Sequence, residues 1–243
     1  MFKVTPFHYW KTKIIPADCV NGHLKFSRQL KMQENIGTDQ LEQAGLTAEE
    51  MMNRNFVFVI VNSSTRYYNL PSENQPITLT TMPTSKKGVH YYRAYLFDDD
   101  KGNRLIESYS DFILVDPKEH KIVSPNLFSD ICELTDSEPN VSINRPSRVR
   151  LPKDMQEVGS VTVDRKDIDI NNHLNNSVYW DYIYEFLPCP VTDVEQINMS
   201  YLAEGLFGDT IKIFRKIDQD KIFISGEHGR GVSFAAEIIT KNK

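Results

Sequence analysis

Asp169, Asn171, Asn172, His173, Asn175 and Asn176 fall within eight positions, immediately before the apolar run SVYWDYIYEFL at residues 177–187. A carboxylate, an imidazole and several amides delivered to one helix start can do acid–base chemistry on a polarised carbonyl. The unpaired N–H groups of a helix N-terminus and the positive end of its dipole favour negative charge developing on an oxygen, so such a terminus can serve as an oxyanion hole. The plain structural alternative gives each residue a local job: Asn175 or Asn176 as helix cap, Asp169 as an Asx-turn residue, His173 as a satisfied structural histidine. Starting a helix needs only one cap, so the density of groups favours the chemical reading.

The elements that must position this loop are legible on both sides of it. A strand is expected at residues 157–164 and a helix at 177–187. That helix is apolar on most sides (Val178, Tyr179, Trp180, Tyr182, Ile183, Tyr184, Phe186, Leu187), which predicts burial. Strands are expected next at 195–202, 209–217, 221–227 and 232–240. The first half shows the same order: a strand at 22–30, a helix over TDQLEQAGLTAEEMM (38–52) capped by Asn35 or Thr38, then strands at 56–68, 76–81, 89–97 and 104–115. The last two are joined by the turn-rich DDDKGN at 98–103. A helix followed by sequential antiparallel strands, twice, is α+β and not a parallel βαβ sheet. The expected divisions are residues 1–125, a linker at 126–155, and 156–243. Pro117, Pro125, Pro139, Pro146 and Pro152 break the periodicity around the linker. Acidic Asp130, Glu133, Asp136 and Glu138 precede basic Arg145, Arg148, Arg150 and Lys153 there, and the two sets are expected to pair with each other.

The 243 residues, 40% hydrophobic and 25% charged, with 11 Gly and 12 Pro, describe an ordinary globular chain with a sizeable core. The longest unbroken apolar run, 56–61, has six residues, against the roughly 20 a membrane span needs. The N-terminal residues carry Lys3, His8, Lys11 and Lys13, which leaves no secretory apolar core and implies a cytoplasmic protein. With 28 basic and 33 acidic residues the net charge is −5, which argues against broad nucleic-acid binding. Three cysteines, Cys19, Cys132 and Cys189, lack disulfide parity and metal-ligand spacing, so free thiols are expected and no metal site.

The segment DIDINNHLNNSVY, residues 167–179, resembles the D-x-D-x-N-x-H-x-N-N-x-x-Y pattern of the acyl-ACP thioesterases of the hotdog superfamily. The resemblance covers the whole chain in layout, because that family consists of two tandem hotdog repeats with the catalytic residues in the second. It implies catalytic roles for Asp169, Asn171 and His173. The stretch YLAEGLFGDTI, 201–211, resembles the family's Y-x-x-E-[CG]-x-x-G-D and implies that Glu204 acts with them. Plant members often carry a cysteine after that glutamate; Gly205 stands there in this chain, so a thiolate at that position is impossible. Cys189 follows the helix and would lie on the order of 16–20 Å from His173 at 1.5 Å per residue.

What remains is water activated by Glu204 and His173, hydrolysing a fatty acyl thioester without a covalent intermediate. The carbonyl is expected over the helix start, polarised by backbone N–H groups near Asn175 and Asn176, with Asn171 orienting water or carbonyl. Asp169 is expected to hold the loop and the His173 ring. The implied partner is acyl carrier protein with its phosphopantetheine-linked chain, and a homodimer is compatible. No cofactor or metal is expected. The alternatives are an acyl-CoA thioesterase and a non-catalytic acyl-binding protein; the basic run RPSRVRLPK at 145–153 bears on the first, since it could meet an acidic carrier.

Overall fold

In the computed structural model, which describes residues 1–134 and 137–241, two short strands open the chain, β1 (Phe2–Val4) and β2 (His8–Lys13). A small hairpin of β3 (Cys19–Val20) and β4 (His23–Leu24) leads into α1 (Phe26–Gln43) and α2 (Ala48–Asn53). The strand expected at 22–30 is therefore limited to its first residues, and the helix expected at 38–52 is two helices, the first beginning twelve residues earlier. Asn35 and Thr38 lie inside α1 and cap nothing. The buried face of α1 is Phe26, Ser27, Gln29, Leu30, Gln33, Ile36, Gly37 and Gln40. Its helical period is complete, but half of its members are polar, and an apolar count does not register them. Gly45, at φ 86°, takes the left-handed turn that ends the helix. Thr47 then starts α2 by accepting the Glu50 amide at 3.1 Å.

The long strands of the first half follow: β5 (Val57–Tyr67), β6 (Pro76–Lys87), β7 (His90–Asp99) and β8 (Arg104–Asp116). The turn between β7 and β8 forms where its composition predicts it, with Asp99 accepting the Lys101 and Asn103 amides at 2.9 and 2.7 Å. Beyond it come β9 (Lys121–Ile122), α3 (Pro125–Ser129) and β10 (Cys132–Leu134), the last pairing in parallel with β1. Phe128 and Cys132 are buried in the same cluster as Val4, Leu46 and Phe56, so α3 and β10 pack on the first half. Asp136 of the acidic stretch lies outside the described residues.

The second half contains β11 (Gln156–Thr162), α4 (Val178–Glu185), β12 (Val194–Tyr201), β13 (Thr210–Asp218), β14 (Lys221–His228) and β15 (Gly231–Thr240). Its sheet order is β11-β13-β14-β15-β12, and that of the first half is β2-β6-β7-β8-β5. Element for element these are the same order, so the internal duplication read from element succession is a duplication of topology. The equivalent edge strands β5 and β12 pair antiparallel, Ser64 opposite Asn198, and fuse both sheets into one. This is the tandem hotdog arrangement. One apolar cluster runs through both halves, with Phe26 of α1 against Trp180 of α4, ring centroids 6.3 Å apart.

Residues from Ser137 onward carry the chain to β11 as a strap on the sheet face away from the helices. Ser142 accepts from Arg66 at 2.9 Å, and the Val149 amide donates to Ser200 Oγ at 2.8 Å. The pairing expected between the acidic and basic parts of this stretch does not form among the described residues. Arg145 instead lies 4.8 Å from the Tyr92 ring centroid and donates to Ser85, Arg148 and Arg150 are exposed, and Glu133 pairs with Lys3.

Candidate active site

The polar loop is built before it does any chemistry. Asp164 starts it with a capping box, accepting the Arg165 amide at 2.6 Å while its own amide donates to Asp167 Oδ2 at 3.0 Å. Residues 169–173 then close on themselves. The Asp169 amide donates to the His173 carbonyl at 2.8 Å, and Asp169 Oδ1 accepts the Asn171 and His173 amides at 2.8 and 3.2 Å. Asn172 sits at φ 63°, a left-handed conformation that asparagine tolerates better than most side chains. Asp169 therefore ties residues 169–173 together, and its contact with His173 is to the backbone amide and not to the ring. Asn171 is exposed and donates its side-chain amide to Asp169 Oδ2 at 3.3 Å.

Across from this loop, the turn after β12 carries Glu204. His173 Nε2 stands 3.2 Å from Glu204 Oε2. The pair joins positions 31 residues apart in sequence, and both side chains reach solvent, His173 at 29% and Glu204 at 58% exposure. A water can therefore reach the pair. The two loops are tied by the Leu174 amide donating to the Gly205 carbonyl at 2.8 Å.

The helix start divides its labour differently from the expectation. Asn175 shapes the turn before the helix, whose N-cap residue is Ser177 without a side-chain cap: its Oδ1 accepts the Ser177 amide at 3.0 Å and the Ser177 hydroxyl at 2.7 Å. Its own amide is spent on the Asp167 carbonyl at 2.9 Å, so it cannot serve an incoming oxygen. Among the described residues the Asn176 amide has no such partner. Tyr179, Trp180, Tyr182 and Ile183 are buried, as the all-round apolar pattern of α4 requires.

Several residues that hold the site were not singled out from sequence. The Tyr179 hydroxyl accepts the Gly205 amide at 3.1 Å and shares a 3.0 Å hydrogen bond with Ser233 Oγ, which donates to the Ala203 carbonyl at 2.7 Å. Burial pushes the Tyr179 phenol above its ordinary value, so it stays protonated. Arg230 pairs with Asp209, and hydrogen bonding from Arg230 holds the Asp209 carboxyl below the ordinary carboxylate range. From the first repeat, α1 brings Glu34 close enough to feel Asp169. Burial raises the Glu34 carboxyl and Asp169 adds to the rise, opposed by Lys31 at 3.2 Å. Tyr179 and Asp209 both occupy positions of the two motifs; the rest lie outside them and carry no sequence signal.

The cysteines stand apart from this chemistry. Cys132 is buried in the first half, and burial pushes its thiol up to about 11. Cys19 is raised for the same reason, and Cys189 packs partly buried against the shared core. A side chain at Gly205 would begin 3.0 Å from Leu174 Cβ and 3.4 Å from the Tyr179 hydroxyl, so the glycine there answers a packing demand. Among the described residues no group of three or more His, Cys, Asp or Glu side chains converges as a metal-ligand set, and no helix is long and apolar enough to cross a membrane.

Comparison with known proteins gives two family matches, the acyl-ACP thioesterase N-terminal domain over residues 8–134 and the acyl-ACP thioesterase C-terminal domain over 151–241. No curated protein matches the chain. Among solved structures, an acyl-ACP thioesterase from Bacteroides thetaiotaomicron superposes with TM-score 0.86 at 18% identity, covering 97% of this chain and 98% of that one. A putative oleoyl thioesterase from Lactobacillus plantarum gives 0.80 at 19%, covering 99% and 98%. The 12:0-ACP thioesterase from Umbellularia californica gives 0.82 at 12%, covering 98% of each. At these identities the superpositions speak for the fold.

Proposed function

Because the chain belongs to the acyl-ACP thioesterase family and is a thioester hydrolase of acyl-ACP, we propose that it hydrolyses fatty acyl-ACP to free fatty acid and holo-ACP with water activated by Glu204 and His173. The observation that carries this reading is the 3.2 Å contact between His173 Nε2 and Glu204 Oε2 at a solvent-reached position. In this mechanism Glu204, with the His173 ring 3.2 Å from its carboxylate, takes a proton from water as it attacks the thioester carbon. The carbonyl oxygen lies over the start of α4, where the Asn176 amide and the helix dipole stabilise the developing charge. Asn171 orients the water or the carbonyl, and Asp169 keeps the 169–173 loop closed. As the tetrahedral intermediate collapses the C–S bond breaks, and the proton taken up by Glu204 passes to the departing pantetheine sulfur. The second repeat (156–243) supplies this chemistry, the first (1–125) receives the acyl chain, and 126–155 joins them.

Acyl carrier protein, an acidic partner, would meet the exposed Arg148 and Arg150 of the strap, which the acids of the described strap leave unpaired. A cytoplasmic location and a homodimer fit this reading. The decisive experiment incubates the purified protein with a ladder of acyl-ACP and acyl-CoA chain lengths, with and without EDTA. Turnover of acyl-ACP that survives chelation is the expected result. Turnover of acyl-CoA alone, or restoration only by added metal, would overturn the proposal.

A further inference from the structure

The peptide that follows Glu204 is held at both ends by side chains. Its N–H, that of Gly205, donates to Tyr179, while its carbonyl oxygen receives two donors from the β14–β15 hairpin: Nε2 of His228, the last residue of β14, at 3.1 Å and Nη2 of Arg230, in the turn, at 3.0 Å. His228 is only 9% exposed. Its other ring nitrogen, Nδ1, accepts the backbone amide of Arg230 at 3.2 Å. These two bonds together admit one form of the ring. Nε2 must carry hydrogen to donate to a carbonyl, and Nδ1 must carry a lone pair to accept an amide, which is the neutral Nε2–H tautomer. The other tautomer sets lone pair against carbonyl oxygen and N–H against N–H. The imidazolium keeps the carbonyl contact but turns Nδ1–H against the Arg230 amide.

Arg230 completes the frame. Its Nη1 donates to Asp209 Oδ1 at 3.1 Å, and Asp209 Oδ2 accepts the Leu206 amide at 2.7 Å. A ring of contacts thus runs from the Glu204 carbonyl through Arg230 and Asp209 back into residue 206. Gly231, at φ 122°, gives the turn that brings Arg230 beside His228 a backbone that other residues rarely adopt.

We propose that His228, locked as the neutral Nε2–H tautomer by the Arg230 amide, is a positioning residue that aims the Glu204 carboxylate at His173. The two histidines then hold opposite ends of one glutamate: His173 meets its carboxylate and His228 its carbonyl. The proposal rests on the assignment of Glu204 as the base. Glutamine can imitate the locked ring, since its side-chain NH2 donates to the Glu204 carbonyl while its oxygen accepts the Arg230 amide; leucine can do neither.

The test measures kcat and KM for acyl-ACP hydrolysis by H228L and H228Q, with E204Q alongside and thermal melts for all three. Misaiming a catalytic group costs roughly 10- to 100-fold, so H228L should lose about that in kcat with KM little changed, and H228Q should recover most of it. A folded H228L with normal kcat, or H228Q as impaired as H228L, would overturn the proposal. Imidazole 15N spectra of the unmodified protein near neutral pH give a second readout, independent of turnover and of whether H228L folds. They should show the Nε2–H tautomer at His228, and an Nδ1–H or doubly protonated ring there would overturn the lock. If E204Q kept normal kcat, the base assignment itself would fall, and with it the role of His228 toward Glu204, while the spectra would still report on the lock.

Discussion

The Tyr179 hydroxyl accepts the Gly205 amide at 3.1 Å, so the helix beneath the site and the turn that presents Glu204 are joined through one phenol. Tyr179→Phe keeps the ring packed against Phe234 and Tyr201 but leaves a buried N–H unpaired, a cost of about 1–3 kcal/mol. For a chain of this size that corresponds to a Tm lower by roughly 2–12 °C. A melt of the purified variant checks it; an unchanged Tm with unchanged kcat would show that the bond holds nothing.

Glu204→Gln preserves size and hydrogen bonding and removes the base. Its kcat should fall by roughly 10²–10⁴ with folding little affected, and His173→Ala should lose a similar amount. Since both act on one water, the double variant should be far less impaired than the product of the single losses. Multiplicative losses, or a folded Glu204→Gln with near-normal kcat, would mean that the pair does not work as a unit.

Replacing Cys19, Cys132 and Cys189 together by Ser or Ala should leave most of the kcat, because burial keeps the Cys132 thiol protonated and water, not sulfur, attacks. An acyl group trapped on any of the three during turnover would contradict this.

Gly205→Cys restores the residue that plant members often carry, yet here its Cβ meets Leu174 at 3.0 Å. Overpacking of this kind costs about 1–3 kcal/mol. The variant should melt lower and hydrolyse no faster; a gain in rate sensitive to thiol alkylation would show that the site can adopt sulfur chemistry.

Asp209 supplies a pH test with a defined sign. Its folded pKa is depressed by Arg230, so its contribution to stability is complete at neutral pH and is lost as the pH falls through that lowered value. Asp209→Asn should therefore melt below the parent at neutral pH, and the gap should close in acid. A gap that stays constant or widens on acidification would point away from the Arg230 pairing.

The long strands β5 to β8 and β11 to β15, the buried helix α4 and the two motif segments could be read from the chain because each is written in local terms: period-2 alternation, an all-round apolar helix, polar residues at fixed spacing; β2, the edge strand of the first half, could not. The extent of α1 could not, since Gln29, Gln33 and Gln40 occupy its buried face and only the surrounding sheet makes their burial visible. Nor could β1 and β10, which exist as strands only because each finds the other. At the site, the sequence determined which groups are present and that Asp169, Asn171 and His173 share one loop. Tertiary structure decided that Glu204 meets His173, that the Asn175 amide is spent on Asp167, and that His228 and Arg230 grip the Glu204 carbonyl. The first and last of those contacts join residues whose separation along the chain carries no periodic signal, and the grip of His228 and Arg230 on Glu204 follows from how β12, β14 and β15 register beside one another, a property of the assembled sheet.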